Sequence, residues 1–169
     1  MANTVNLNGA ACEVAGDFLR KNDIAPKFTL VRGDLSEFVF GGKSENRLVL
    51  NIFPSVDTGV CAMSVRKFNA LAAGIEGVKV LCVSKDLPFA QSRFCAAEGI
   101  KNVEVLSDFR GSFASDYGVL IAGGVLKGLM ARAIVIIGKD GRVLYSALNS
   151  EIAEEPDYDA ALAALKASE

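Results

Sequence analysis

The sequence contains no histidine. That absence removes Ser-His-Asp triads, Cys-His nucleophile pairs, His-ligated metal sites and imidazole acid–base chemistry. Four cysteines are present, at positions 12, 61, 82 and 95, and no two have the C-x-x-C spacing of zinc ribbons or dithiol redox sites. Neither sign of charge dominates: 18 Lys and Arg stand against 20 Asp and Glu, for a net charge of -2. Such a surface has no general attraction for nucleic acid. No apolar run reaches the roughly 18 residues of a membrane span. The first residues also lack the basic-then-apolar pattern of a secretory signal. The expectation is a soluble cytoplasmic protein with no membrane or nucleic-acid partner, whose thiols rest reduced. Repeats, charge blocks and low-complexity linkers are missing too. What is there, 51% hydrophobic and 22% charged residues over 169 positions, is the composition of one globular domain, residues 1–169.

Val5-Asn-Leu7 and Ala11-Cys-Glu-Val14 flank Asn8-Gly9, a strong hairpin signal. Pro26 opens the extended stretch Phe28-Thr-Leu-Val31, and residues 34–40 end in the loop Gly41-Gly42. Leu48-Val-Leu-Asn-Ile-Phe53 is short, apolar and bounded by Pro54, which predicts a buried central strand. Residues 61–73 then carry apolar side chains at 61, 65, 68, 71 and 72, a helical spacing. Val78-Lys-Val-Leu-Cys-Val83 predicts the next strand. Pro88 suits the first turn of a helix over 89–97 that Gly99 ends. Residues 103–106 give a third short strand, and 131–137 and 142–145 flank the turn Gly138-Lys-Asp-Gly141. A closing helix over 158–166 follows Pro156. Strands joined by helices imply parallel neighbours, and the last hairpin adds antiparallel ones. The class is α/β: a thioredoxin-like fold with a mixed central sheet, flanking helices and an N-terminal β-hairpin extension.

Chemistry concentrates in Pro54-Ser-Val-Asp-Thr58-Gly-Val-Cys61. This segment joins the buried strand to a helix and puts Cys61 in the first helical turn. Unpaired backbone N–H groups and the positive end of the dipole favour an anion there, so the thiol is expected largely as the nucleophilic thiolate. The alternative is a small buried hydrophobe, as most free cysteines are. Pro54 also stops a strand, and Thr58 also suits a helix N-cap. Arg132 sits in the apolar run Ala-Arg-Ala-Ile-Val, where it must face solvent or pair with an anion.

Pro54, Thr58 and Cys61 match the P-x-x-x-T-x-x-C signature of peroxiredoxins, and Met63-Ser-Val-Arg66-Lys-Phe68 continues it. Ser84-Lys-Asp-Leu-Pro-Phe-Ala-Gln-Ser-Arg-Phe-Cys95, Lys127-Gly-Leu-Met-Ala-Arg132-Ala and Glu155-Pro-Asp-Tyr-Asp-Ala-Ala-Leu add later motifs in order. Over nearly its whole length the chain resembles the atypical two-cysteine peroxiredoxins, in their bacterial thiol peroxidase branch. The resemblance implies Cys61 as the peroxidatic nucleophile and Cys95 as the resolving cysteine of an intrachain disulfide. It implies Thr58 near the sulfur and the bound peroxide, Pro54 shielding the site from water, and Arg132 set against the thiolate from a neighbouring strand. It further implies hydroperoxide substrates, thioredoxin as reductant, a homodimer, and no metal, haem or flavin. Residues 118–131 are apolar enough to serve an interface. Cys82 reads as a core residue, Cys12 as a spectator in the hairpin, and Arg93 and Arg110 as surface charges. A peroxide-sensing thioredoxin-fold module that relays oxidation to a partner protein would use the same Cys61, and repeated turnover separates the two. A disulfide reductase fits less well, because Thr58 stands where its first sulfur belongs.

Overall fold

In the computed structural model, which describes residues 3–168, the chain opens with the hairpin β1 (Asn3–Leu7) and β2 (Ala10–Ala15). Asn8 and Gly9 take φ of 51° and 83°, the doubly left-handed turn that an Asn-Gly pair favours. A second hairpin, β3 (Phe28–Val31) and β4 (Glu37–Phe40), precedes the buried strand β5 (Arg47–Ile52). The chain then alternates through α1 (Gly59–Ala72), β6 (Val78–Ser84), α2 (Pro88–Glu98) and β7 (Glu104–Ser107). A single turn α3 (Phe113–Asp116) and the short β8 (Leu120–Ile121) lead to β9 (Ala133–Ile137), β10 (Val143–Leu148) and α4 (Tyr158–Ala167).

Seven strands form one mixed sheet in the order β10-β9-β5-β6-β7-β3-β4. β5, β6 and β7 run parallel because α1 and α2 carry the chain back between them, and the other pairs are antiparallel. Strand alternation divides the core. Leu48, Leu50 and Ile52 of β5 join Leu81, Val83 and Val135 on one face, with Phe28, Phe40, Phe113 and Tyr117. Val49, Cys82, Ile134 and Ile136 face the other way, under Val65 and Phe68 of α1 and Ala161 and Leu165 of α4. Among the described residues no helix is long and apolar enough to cross a membrane.

The N-terminal hairpin pairs with β8 into a separate three-stranded sheet. It docks on the loop after β10: Asn6 N–H donates to Ser150 O and Ile152 N–H to Asn6 O, both at 2.7 Å. The Glu151 carboxylate accepts from the Asn8 and Gly9 amides at 2.9 and 3.1 Å. Neither β8 nor α3 carries a periodic signal, and both exist through their tertiary neighbours. The strand expected from residue 131 begins instead at Ala133. The two residues before it lie outside the strand: Ala131 N–H turns to Val119 O, while Arg132 O still accepts from Asn149 N–H in register with β10. Of the apolar residues of 118–131, Val119, Ile121, Met130 and Ala131 are buried, Leu120, Leu126 and Leu129 pack partly buried against the chain's own core, and Val125 is exposed.

Candidate active site

Cys61 is the third residue of α1, behind Thr58 at the N-cap position. β5 ends at Ile52, the chain turns through Pro54 to Thr58, and α1 starts at Gly59. The first-turn amides therefore have no intrahelical acceptor and point past Cys61 toward the loop. Thr58 does not cap them. Its hydroxyl donates to Ser55 O at 3.0 Å, closing the 55–58 turn. The family resemblance implies that hydroxyl near the sulfur, and in this structure it donates to the turn. Pro54 is buried at the start of the loop.

Arg132 meets Cys61 from the loop before β9, not from a strand. Its Nη2 lies 3.1 Å from Cys61 Sγ, and its Nε donates to Ile152 O at 2.9 Å. Both residues are 1% exposed. Arg132 Nη1 is buried without a hydrogen-bond partner. A buried guanidinium is costly unless an anion faces it, and the Cys61 sulfur is the group in position. The carbonyl that orients Arg132 belongs to the loop on which the N-terminal hairpin docks. Nothing in the sequence near Ile152 signals this role.

Asp86 brackets the loop from the opposite side. Its carboxylate accepts from Ser55 Oγ at 2.6 Å, from Val56 N–H at 2.9 Å and from Ser84 Oγ at 2.6 Å. Its carbonyl accepts from Ser107 Oγ. Gln91 of α2 donates to Ser84 Oγ at 3.0 Å and to Leu106 O at 2.8 Å. Asp86 is not among the site residues that the sequence motifs mark, and its one sequence cue is an acid just beyond the end of a buried strand.

Cys95 lies in the last turn of α2, and its carbonyl anchors the cap: the amides of Gly99 (φ 65°) and Ile100 both donate to it. Burial pushes the Cys95 thiol up. Burial also pushes Cys82 up to about 12, against a donation from Asn51 Nδ2 at 3.6 Å. Cys61, Cys82 and Cys95 share the cluster beneath α1, whereas Cys12 is buried under the N-terminal sheet. All four are free thiols. Arg66 of α1 holds Glu98 of α2 through two bonds of 2.8 Å. Asn69 Oδ1 takes the amides of Lys101 and Asn102 at 3.0 and 2.7 Å. Arg93 and Arg110 are exposed, beside Asp57 and Glu37. Among the described residues no three Cys, Asp or Glu side chains converge as a metal site.

A buried thiol heading a helix after a central strand, faced by an arginine on this sheet order, defines a thioredoxin-like protein with a single-cysteine head site. A family model described as Redoxin matches residues 20–162. A thiol peroxidase of Mycobacterium bovis is 57% identical over 166 residues, covering 96% of this chain and 98% of that one. One of Corynebacterium glutamicum is 51% identical over 165 residues, covering 98% and 99%. A solved peroxiredoxin-like protein of Aquifex aeolicus superimposes with a TM-score of 0.95 at 48% identity, covering 99% of this chain and 98% of that one. The chain belongs to the redoxin family, among its bacterial thiol peroxidases.

Proposed function

We propose that the protein is a thiol-dependent peroxidase that reduces hydrogen peroxide and organic hydroperoxides through Cys61. The thiolate attacks one oxygen of the O–O bond and is oxidised to a sulfenic acid. The other oxygen leaves with the bonding pair and takes a proton, as water or an alcohol. The observation that carries this reading is Arg132: Nη2 sits 3.1 Å from the sulfur while Nη1 has no partner. That free donor, with the first-turn amides, is placed to meet the charge that grows on the leaving oxygen. Pro54 keeps water from the sulfur, and rotation of Thr58 about χ1 moves its hydroxyl from Ser55 O toward the peroxide.

Cys95 then condenses with the sulfenic acid, expelling water and forming the Cys61–Cys95 disulfide. The dithiol of thioredoxin reduces that bond by exchange and leaves as its own disulfide. Disulfide geometry needs the two Cα atoms within about 7 Å. Cys61 heads α1 and Cys95 closes α2, so local unwinding accompanies this step. In this reading residues 1–169 act as one cytoplasmic domain, assembled as a homodimer. The chemistry needs no metal, haem or flavin.

A coupled assay with reduced thioredoxin tests the proposal. Cys61→Ser should lose all turnover. Cys95→Ser should consume one equivalent of peroxide and stall as a sulfenic acid, trapped with dimedone and weighed by mass spectrometry. Turnover by Cys61→Ser, or a disulfide linking Cys61 to Cys82 or Cys12, refutes it. Sedimentation velocity reads the oligomeric state.

A further inference from the structure

β5 is apolar from Leu48 to Ile52 except at Asn51, which is fully buried on the face beneath α1. Asn51 Nδ2 donates to Ser64 Oγ at 3.1 Å, and Ser64 Oγ donates to the Cys61 carbonyl at 2.7 Å. Ser64 is fully buried as well. Asn51 Oδ1 has no hydrogen-bond partner. An apolar side chain of the same size would fill this place without the cost of a bare buried carbonyl. The amide therefore does something that packing does not require. It hangs the first turn of α1 on a central strand of the sheet.

We propose that Asn51 and Ser64 are positioning residues for the Cys61 reaction. They hold the sulfur at Arg132 during peroxide attack, and they set how fast the turn unwinds to deliver the sulfenic acid to Cys95. The inference rests on the cysteine roles proposed above. The bond from Ser64 Oγ to Cys61 O spans three residues and exists only while the turn is wound. The sulfenic acid has two fates. It condenses with the Cys95 thiol, releasing water. Alternatively, a second hydrogen peroxide oxidises it to a sulfinic acid, with the second peroxide oxygen leaving as water. A tether on the wound state slows the first fate and leaves more time for the second.

Rapid-quench mass spectrometry of the full chain at rising hydrogen peroxide measures both rates and the sulfinic fraction per turnover. Alanine is a better helix former than serine. If Ser64 were only a helix residue, Ser64→Ala would therefore firm the turn, slow condensation and raise the sulfinic fraction. The tether requires the opposite. Condensation should speed up by about two- to tenfold, the span of one net hydrogen bond, and the sulfinic fraction should fall in step. Peroxide attack should slow by a similar or smaller factor. Ser64→Thr keeps the hydroxyl and should restore the wild-type partition. Asn51→Leu should match Ser64→Ala, and the double variant should shift no further than either alone. Should Asn51→Leu fail to fold, Asn51→Val removes the same amide with less bulk. Unchanged or slower condensation in folded Ser64→Ala, or additive effects in the double variant, overturns the tether. Failure of the Cys61→Ser or Cys95→Ser controls overturns the cysteine roles instead.

Discussion

Replacing Arg132 by methionine separates its catalytic work from its structural cost. Methionine roughly preserves the length and apolar bulk but removes the bonds to Cys61 Sγ and Ile152 O and the unpaired Nη1. Loss of one preorganised donor to a developing negative charge slows a reaction by about 10²–10³, or about 2.7–4 kcal/mol. Stability moves differently. Exchanging a buried ionic group for an apolar one is often neutral or favourable by about 1–4 kcal/mol, and the bare Ile152 carbonyl takes back about 1 kcal/mol. The expected result is a peroxide step slowed by about 10²–10³ in a protein whose Tm is unchanged or raised. The chain has no tryptophan, so the step is best followed by rapid alkylation of unreacted thiol and intact-mass analysis. Arg132→Lys keeps the charge but cannot serve sulfur, carbonyl and substrate in one plane, and should fall between the two. A folded Arg132→Met protein slowed by less than about threefold would refute the reasoning.

Cys82→Ser should keep near wild-type turnover while losing about 1–3 kcal/mol of stability in urea, because a hydroxyl replaces sulfur at a fully buried site; a folded but inactive variant counts against its structural role. Asp86→Ala should cost at least about 3 kcal/mol and slow peroxide attack, since Ser55, Val56 and Ser84 all lose their acceptor; unchanged kinetics in folded protein would detach the bracket from the site. The Glu98 carboxyl is held below its ordinary value of 4.5, chiefly by its hydrogen bonds from Arg66. Its folded value is the depressed one, so the link between α1 and α2 is fully present above that ordinary value and is lost as pH falls through the lowered one. Protection of the amides in the last turn of α2, measured against their intrinsic exchange rates at each pH, should then fall in acid, and Arg66→Gln should show the lowered protection at neutral pH with the acid response removed.

The parts legible from sequence were those written in short-range chemistry. Asn8-Gly9 announced its turn, Pro54 and Gly99 marked the ends of β5 and α2, and the apolar run 48–53 announced the central strand. The motif at 54–61 put Cys61 in the first helical turn without any knowledge of the sheet. What escaped depends on partners distant in the chain. β8 is a two-residue strand made by β2 and a bridge to Met130. Arg132 was expected on a strand, but it lies one residue ahead of β9, where Ala131 N–H turns away to Val119 O. The Ile152 carbonyl is chemically anonymous until the fold brings Arg132 to it. Asn51 is the instructive case, because one polar residue in a buried strand was visible and its meaning needed Ser64.

The docking of the first hairpin changes how the protein should be handled. The matched family segment begins at residue 20, which invites treating everything before it as a dispensable appendage. Yet Asn6, Asn8 and Gly9 fasten residues 150–152, and the Ile152 carbonyl fixes the guanidinium that faces the sulfur. Trimming residues 1–16 would strip the Glu151 carboxylate of two amides and leave Ile152 free to drift. A bulky fusion that pries the hairpin away would act the same way. Kinetic differences between trimmed, tagged and intact preparations would then report the seating of one arginine rather than any difference in cysteine chemistry.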